Sequence, residues 1–493
     1  MPPSTSVLLH SRYDPVREAV RWADAQHFSF IPAFIVISEP GESFLSPVLR
    51  ERYPNARLIA LRYHETNFSE FDSLWDAVWR PGTNFDITDF VFSLIPDEYL
   101  PLAVFLSWKP ADAIWPEVSE HVWKGIASVL KLQTSIMQTR NHFGPRWLKN
   151  MIKNTALMNT VILSRKTSKP VFLASAGPTL STHFPFQRDK FCVLAVSSAL
   201  SCLCANLIDP DICLATDGGY WALDLFRSIK SSIPVGLPLE AALPSTVLEA
   251  NPLMILSYGS ETEKALLSIA GIEATRAFRN GSVSGTAAQF ALSHTDKAVY
   301  AAGLDLNTGT AFTHARPHVL DTFLDIETSR YQPLSYLLYI RGQSNGSLDM
   351  YAAWFSSRAS SFKNRFFRLL PAQKKIPGIE CAHLSDVRTD ISYPDEPVKL
   401  QSIPEKNVRR ALLCTWLNDV CRQLIDDTKQ SSAFSNPLLL EIMQLVSYTD
   451  YIHVLKKSSS PEYLGTVSDL KSKLCGKTAA FLEKMKVMVK QYG

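Results

Sequence analysis

The chain has 493 residues, 46% hydrophobic and 20% charged, which excludes a disordered or fibrous protein. At roughly 150 residues per domain it is too long for one ordinary core. Its 50 Lys and Arg against 47 Asp and Glu leave a formal charge of +3, without the basic excess of a nucleic-acid binder.

An apolar run at 7–9 is followed by Val16, Ala19, Val20 and Ala23, spaced as one face of a helix. Phe34-Ile35-Val36-Ile37 reads as a buried strand ending at the turn Glu39-Pro40-Gly41, 45–52 as a helix and 56–61 as a second strand. The runs 89–95 and 103–107 read as further strands, and 115–149 as one or two long amphipathic helices. Strands alternating with helices predict a parallel sheet over 1–140. No signal peptide is expected, because Arg12, Asp14 and Arg17 interrupt the start before an apolar core could form.

From Lys169-Pro170 the alternation is clearer. Strands are expected at 171–174, 192–196, 212–215, 254–256 and 298–302, and helices at 198–207, near 220–230 and at 284–292. The segment 191–208 carries no charge for 18 residues. It is short of a membrane span and holds Ser197, Ser198, Ser201 and Asn206, so it reads as a buried strand and helix with no span. A helix through Trp354 and Phe362 and an apolar run at 366–370 close this part. Beyond Pro404, helical spacing recurs at 409–427, 436–456 and 468–490. The expected domains are 1–140, 141–380 and a helical 381–493. None of the eight cysteines has CxxC spacing, and the four between 192 and 213 sit in apolar surroundings. They read as free thiols of a reducing cytoplasm, and no metal site is expected.

Four segments carry the residue types of a ligand site. Ser175-Ala176-Gly177-Pro178-Thr179 follows a strand, where small residues let backbone amides approach a phosphate. It is neither a Walker A loop nor GxGxxG, and an ordinary tight turn explains it equally. Asp217, in Thr216-Asp217-Gly218-Gly219, ends a strand and suits a sugar or ribose hydroxyl, or a helix cap. Gly281-Ser282-Val283-Ser284 opens a helix with donors suited to an anion, with Ser282 or Ser284 as cap. Asp305 ends the next strand, and His314, Arg316 and His318 follow, the histidines as candidate bases and Arg316 as a phosphate partner.

In this order, Ala174 to Leu180, Ala195 to Leu200, Asp209-Pro210-Asp211 with Thr216-Asp217, and Gly281 to Ser284 through Gly303-Leu304-Asp305-Leu306 resemble a known central domain. It is that of the motility-associated factor (Maf) glycosyltransferases, shared with 6-hydroxymethylpterin diphosphokinase (MptE-like) proteins and similar to bacterial CMP-sugar sialyltransferases. The resemblance covers about 145–375. Thr179 stands where serine is more usual, and Ser197 where the sialyltransferases carry asparagine.

The resemblance implies an α/β fold with a Rossmann-like central domain of the sialyltransferase (GT-A variant) kind. A degenerate Rossmann-like N-terminal domain and a helical C-terminal domain would flank it. It implies an inverting, cytoplasmic transferase that moves a pseudaminic or legionaminic acid from a CMP-sugar to Ser or Thr of flagellin, with no required cofactor. His314, His318 and Asp305 would be catalytic. Ser175, Gly177, Pro178, Thr179, Ser197, Asp217, Gly281, Ser282, Val283 and Ser284 would bind the nucleotide, and Arg316 its phosphate. Two alternatives stand beside it. One is a pterin-type diphosphokinase using ATP and Mg²⁺ held by Asp217 and Asp305; the other is a flagellar-assembly binding protein without catalysis.

Overall fold

The computed structural model describes residues 8–82, 86–95, 99–307, 312–342, 346–387, 398–428, 436–458 and 464–492. The chain divides into two compact units: Met1–Gly144 with Leu424–Ser435 and Met443–Thr478, and Pro145–Gln423 with Asn436–Ile442 and Ala479–Gly493. The fold is mixed α/β, with parallel Rossmann-like sheets and a helical C-terminal region.

The first unit holds strands β1 (Phe34–Ser38), β2 (Arg57–Leu61), β3 (Ala77–Trp79) and β4 (Ala103–Ser107), all parallel, in the order β3-β2-β1-β4. Val36, Ile37, Leu58, Ile59 and Leu61 are buried, as strands covered on both faces require. The run 89–95 is a helix, Ile87–Leu94, and not a strand. A short apolar run does not distinguish the two by periodicity; the deciding residue is Asp86, whose carboxylate caps the helix by accepting from the Asp89 amide at 2.7 Å. The first helix, Pro15–Asp24, is rotated from the expected face. Ala19 and Ala23 are buried, whereas Val16 and Val20 are exposed.

No strand forms at 8–9, and residue 7 lies outside the described residues. The turn that would receive a dinucleotide is therefore the one after β1. It is filled from within: Arg62 donates to Glu39 Oε1 at 3.0 Å, to the Gly41 carbonyl at 2.7 Å and to Ser43 Oγ at 3.1 Å, and the Tyr63 amide donates to Glu39 Oε2. The amides of Gly41 and Tyr63 are already given to Glu39, so they are not open to a pyrophosphate. We expect no saturable binding of NAD or S-adenosylmethionine by calorimetry at micromolar concentrations; a complex seated on residues 39–44 would contradict this.

The second unit carries β5 (Thr160–Val161), β6 (Val171–Ala174), β7 (Cys192–Val196), β8 (Ile212–Leu214), β9 (Val235–Pro238), β10 (Pro252–Ser257), β11 (Thr275–Arg276), β12 (Val299–Ala302), β13 (Phe366–Leu369) and β14 (Glu380–Ala382). Their order is β11-β10-β9-β8-β7-β6-β12-β13-β14, with β5 beside β10, and every pairing is parallel. The chain steps outward from β6 to β11, then returns to place β12 on the other side of β6. The strand order reverses between β6 and β12, and ligands of open α/β sheets bind outside the carboxyl ends at such a point.

The uncharged segment 191–208 is β7, the 3₁₀ turn Ser197–Ala199 and the helix Leu200–Ala205. No described helix is long and apolar enough to cross a membrane. None of the eight cysteines is in a disulfide; Cys202 and Cys213 are buried, Cys192 and Cys204 half-buried. The three C-terminal helices, Lys406–Thr428, Pro437–Ser458 and Leu464–Gln491, contribute segments to both units. Arg409, buried in the first of them, donates to the carbonyls of Thr155 and Met158, satisfying the end of the long helix Pro116–Leu157.

Candidate functional site at the strand reversal

Two turns interlock where β6 and β12 end. The Gly177 amide donates to the Gly303 carbonyl at 2.8 Å. A Cβ on Gly177 would overlap Asp305 and the Gly303 carbonyl, and one on Gly303, at φ +66°, would overlap the Ser175 carbonyl, so neither position admits a side chain without a backbone shift. Asp305 is 1% exposed and its carboxylate is fully engaged. It accepts from the Thr179 amide and hydroxyl, both at 2.8 Å, and from the Gln373 amide at 3.2 Å. Behind it, the buried Arg368 guanidinium donates to the Leu304 carbonyl. Asp305, expected to be catalytic, here fixes the 177–179 turn.

The histidine loop docks on the same turn, the Ala315 amide donating to the Ala176 carbonyl at 2.8 Å. His318 is 5% exposed and its ring stacks on that of His314, centroids 4.3 Å apart. Burial, with His314 beside it, lowers the His318 pKa to about 4, so the ring is neutral near pH 7. Its Nδ1 accepts from the Leu320 amide at 3.2 Å, which leaves the single proton of the neutral ring on Nε2. That Nε2–H is buried with no partner among the described residues. His318 thus presents a buried donor, Nε2–H, while its Nδ1 is taken by a backbone amide. His314, half-buried and also lowered by burial, keeps a contact from Nδ1 to Thr313 Oγ1 that fits either tautomer. Arg316 pairs with Asp321 at 3.0 Å and lies over the Phe312 ring.

The other expected residues flank this point on the same edge. Ser197, the buried residue just after β7, opens a turn that packs on the 3₁₀ helix Tyr220–Phe226. Ser282 caps the helix Val283–His294 by accepting from the Gly285 amide at 3.1 Å, and that helix packs over β6, β7 and β12. It runs from the carboxyl edge of the sheet, so its first-turn amides, Val283 and Ser284 among them, open at that edge. Tyr351 lies against Gly281 and feels the charge of Asp217, bringing the 217 and 281 turns together. Asp217 is exposed; one oxygen accepts from the Gly219 amide at 2.7 Å, and it caps no helix. Asp217→Ala should therefore lower ligand affinity while moving the melting temperature by only a few degrees, since a solvated Asx turn contributes about 1 kcal/mol. Unchanged affinity with a large loss of stability would reverse the assignment.

Sequence reasoning missed several neighbours. His183 is buried near Asp305, its Nε2 without a partner among the described residues, and burial lowers its pKa. Glu240 and Arg279 form a pair beside the 217 turn. Only the position of Arg279 before Asn280-Gly281 hinted at it.

Comparison with known proteins fits this geometry. The family model for 6-hydroxymethylpterin diphosphokinase MptE-like proteins matches residues 146–310. An uncharacterised protein of Treponema pallidum (strain Nichols) is 31% identical over 420 residues, spanning 80% of this chain and 92% of that one. The MAf glycosyltransferase structure from Magnetospirillum magneticum AMB-1 aligns with a TM-score of 0.50 at 13% identity, covering 97% of this chain and 83% of that one, a likeness of fold. The chain therefore belongs to one family with the Treponema protein, and its segment 146–310, which holds both interlocked turns, is similar to the MptE-like family.

Proposed function

We propose that this chain is a nucleotide-dependent transferase working at the β6/β12 crevice, and that the group moved is a sugar acid carried by CMP, passed to a Ser or Thr hydroxyl of a flagellin-type protein. The observation that carries the reading is the neutral, buried His318 with an unpartnered Nε2–H beside the 175–179 turn. A fixed donor in a dry site suits the charge that builds on a departing phosphate. The acceptor oxygen attacks the anomeric carbon, the bond to the CMP phosphate breaks, and His314 takes the acceptor proton. The first-turn amides of the helix Val283–His294 favour the same anion.

A second reading is transfer of diphosphate from ATP to a pterin hydroxymethyl group. The match of 146–310 to 6-hydroxymethylpterin diphosphokinase MptE-like proteins supports this more directly than sugar transfer. It needs carboxylates for Mg²⁺, and Asp305 is already occupied by three donors, which leaves Asp217 as the accessible carboxylate of the pair. A thermal-shift screen of CMP, CDP, ATP and GTP with and without Mg²⁺ separates the readings. Stabilisation by CMP without metal supports sugar transfer, stabilisation by ATP only with Mg²⁺ supports the diphosphokinase, and response to none supports a binding protein without catalysis.

A further inference from the structure

The unit that carries the crevice also buries a carboxylate whose visible partner is a half-exposed arginine. Glu240, just past the end of β9, is 5% exposed; Arg279, just past β11, donates to it at 2.6 Å while 47% of its side chain stays open to solvent. The guanidinium is held between two rings, 5.2 Å from the centroid of Trp147 and 5.0 Å from that of Tyr258. Trp147 in turn lies against Gly218, where a Cβ would overlap its indole, and Asn150 ties the Gly218 and Glu240 carbonyls together at 3.2 and 2.9 Å. Arg279 is thus fixed beside the Asp217 turn and three residues before Ser282.

This arrangement differs from an ordinary surface ion pair, which orders two flexible side chains for little gain. Here the carboxylate is buried and the arginine pre-oriented by aromatic faces, with part of its planar donor fork left at the site. Burial raises the Glu240 carboxyl to about 7, against the pull of Arg279, and the buried Glu263 also acts on the guanidinium. The strand reversal and the helix Val283–His294 lie over β6, β7 and β12, whereas Glu240 sits at the end of β9, two or more strands away at about 4.8 Å each. That spacing suits the far end of an extended ligand whose phosphate occupies the reversal.

We infer that Arg279 is a specificity-determining residue that grips a planar oxyanion, a carboxylate or a phosphate, on the transferred group rather than on the nucleotide. The inference rests on the sugar-acid reading above. The test is calorimetry on the full chain with two probes, CMP and CMP-N-acetylneuraminic acid, for the wild type, Arg279→Gln and Arg279→Lys. Loss of a forked charge-assisted contact predicts roughly 10- to 100-fold weaker binding of the sugar nucleotide by Arg279→Gln, with CMP affinity unchanged. Arg279→Lys, which keeps a cation beside Glu240, should recover only part of the loss. Equal weakening of both probes overturns the assignment and makes Arg279 a nucleotide-phosphate ligand. Unchanged binding of both, with or without lower thermal stability, overturns it in favour of a scaffolding ion pair. Failure of the wild type to bind CMP would sink the sugar-acid reading itself, and the inference with it.

Discussion

Replacing Asp305 by alanine should destabilise the chain by about 3–5 kcal/mol and abolish nucleotide binding together. The Thr179 amide and hydroxyl and the Gln373 amide all lose their acceptor at a position that is 1% exposed. Each buried donor left without a partner costs about 1–3 kcal/mol, and they relax as one network. The turn they hold includes Gly177, whose close approach to the Gly303 carbonyl depends on the same geometry. Thr179→Val, which removes only the hydroxyl bond, should give a partial loss of both properties. Asp305→Asn keeps the shape but presents an NH₂ to at least one donor, so it should fall between. The measurements are denaturant unfolding and titration with nucleotide. An Asp305→Ala protein that folds and binds nucleotide normally yet turns over at least 100-fold more slowly would instead make Asp305 a catalytic group.

The central sheet was legible because its strands are short, continuous apolar runs bounded by small or proline-containing turns, the pattern of strands buried on both faces. Val171–Ala174 and Cys192–Val196 are examples. The turns that gather at the carboxyl edge were legible for the same reason: once the strands are parallel, every strand-to-helix turn must lie on one edge. What was not legible depends on single distant atoms. The 87–94 helix turns on the Asp86 cap, and its apolar composition fits a strand as well. β3 and β9 lack such a run: β3 has three residues, and Gly236 and Pro238 interrupt β9.

The candidate site divides in the same way. The placement of its residues at strand ends was legible from the sequence, but the contacts of their side chains were not. Asp305 looked like a free carboxylate until the Thr179 and Gln373 groups, distant in sequence, were seen to fill it. Glu240 and Arg279 lie 39 residues apart on different turns, and nothing in either local sequence announces the pair. The tautomer of His318 is set by a backbone amide two residues on, a fact of conformation rather than of composition.

Acid should weaken this chain well above the carboxylate range, and His318 should account for a large share. Its folded pKa, about 4, lies below the ordinary imidazole value of 6.5. A lowered folded pKa means the unfolded chain takes up the proton first, so the stabilisation is fully present above pH 6.5 and is lost as pH falls towards 4. A shift of that size corresponds to about 3 kcal/mol. His10, His183, His294 and His314 are lowered by burial too and act in the same direction. His318→Gln should therefore flatten, but not remove, the fall in unfolding free energy between pH 6.5 and 4. In turnover, His318→Ala should lose about 10²–10³-fold, because the donor proposed for the departing phosphate is gone, with nucleotide affinity less affected. His314→Ala should cost about 10²–10⁴-fold as the loss of a general base and should remove the acidic limb of the rate profile. Should His318→Gln keep the wild-type acid sensitivity, the buried neutral ring is not what the protein carries in solution. Full activity of both alanine variants at saturating donor would end the case for either histidine in the chemistry.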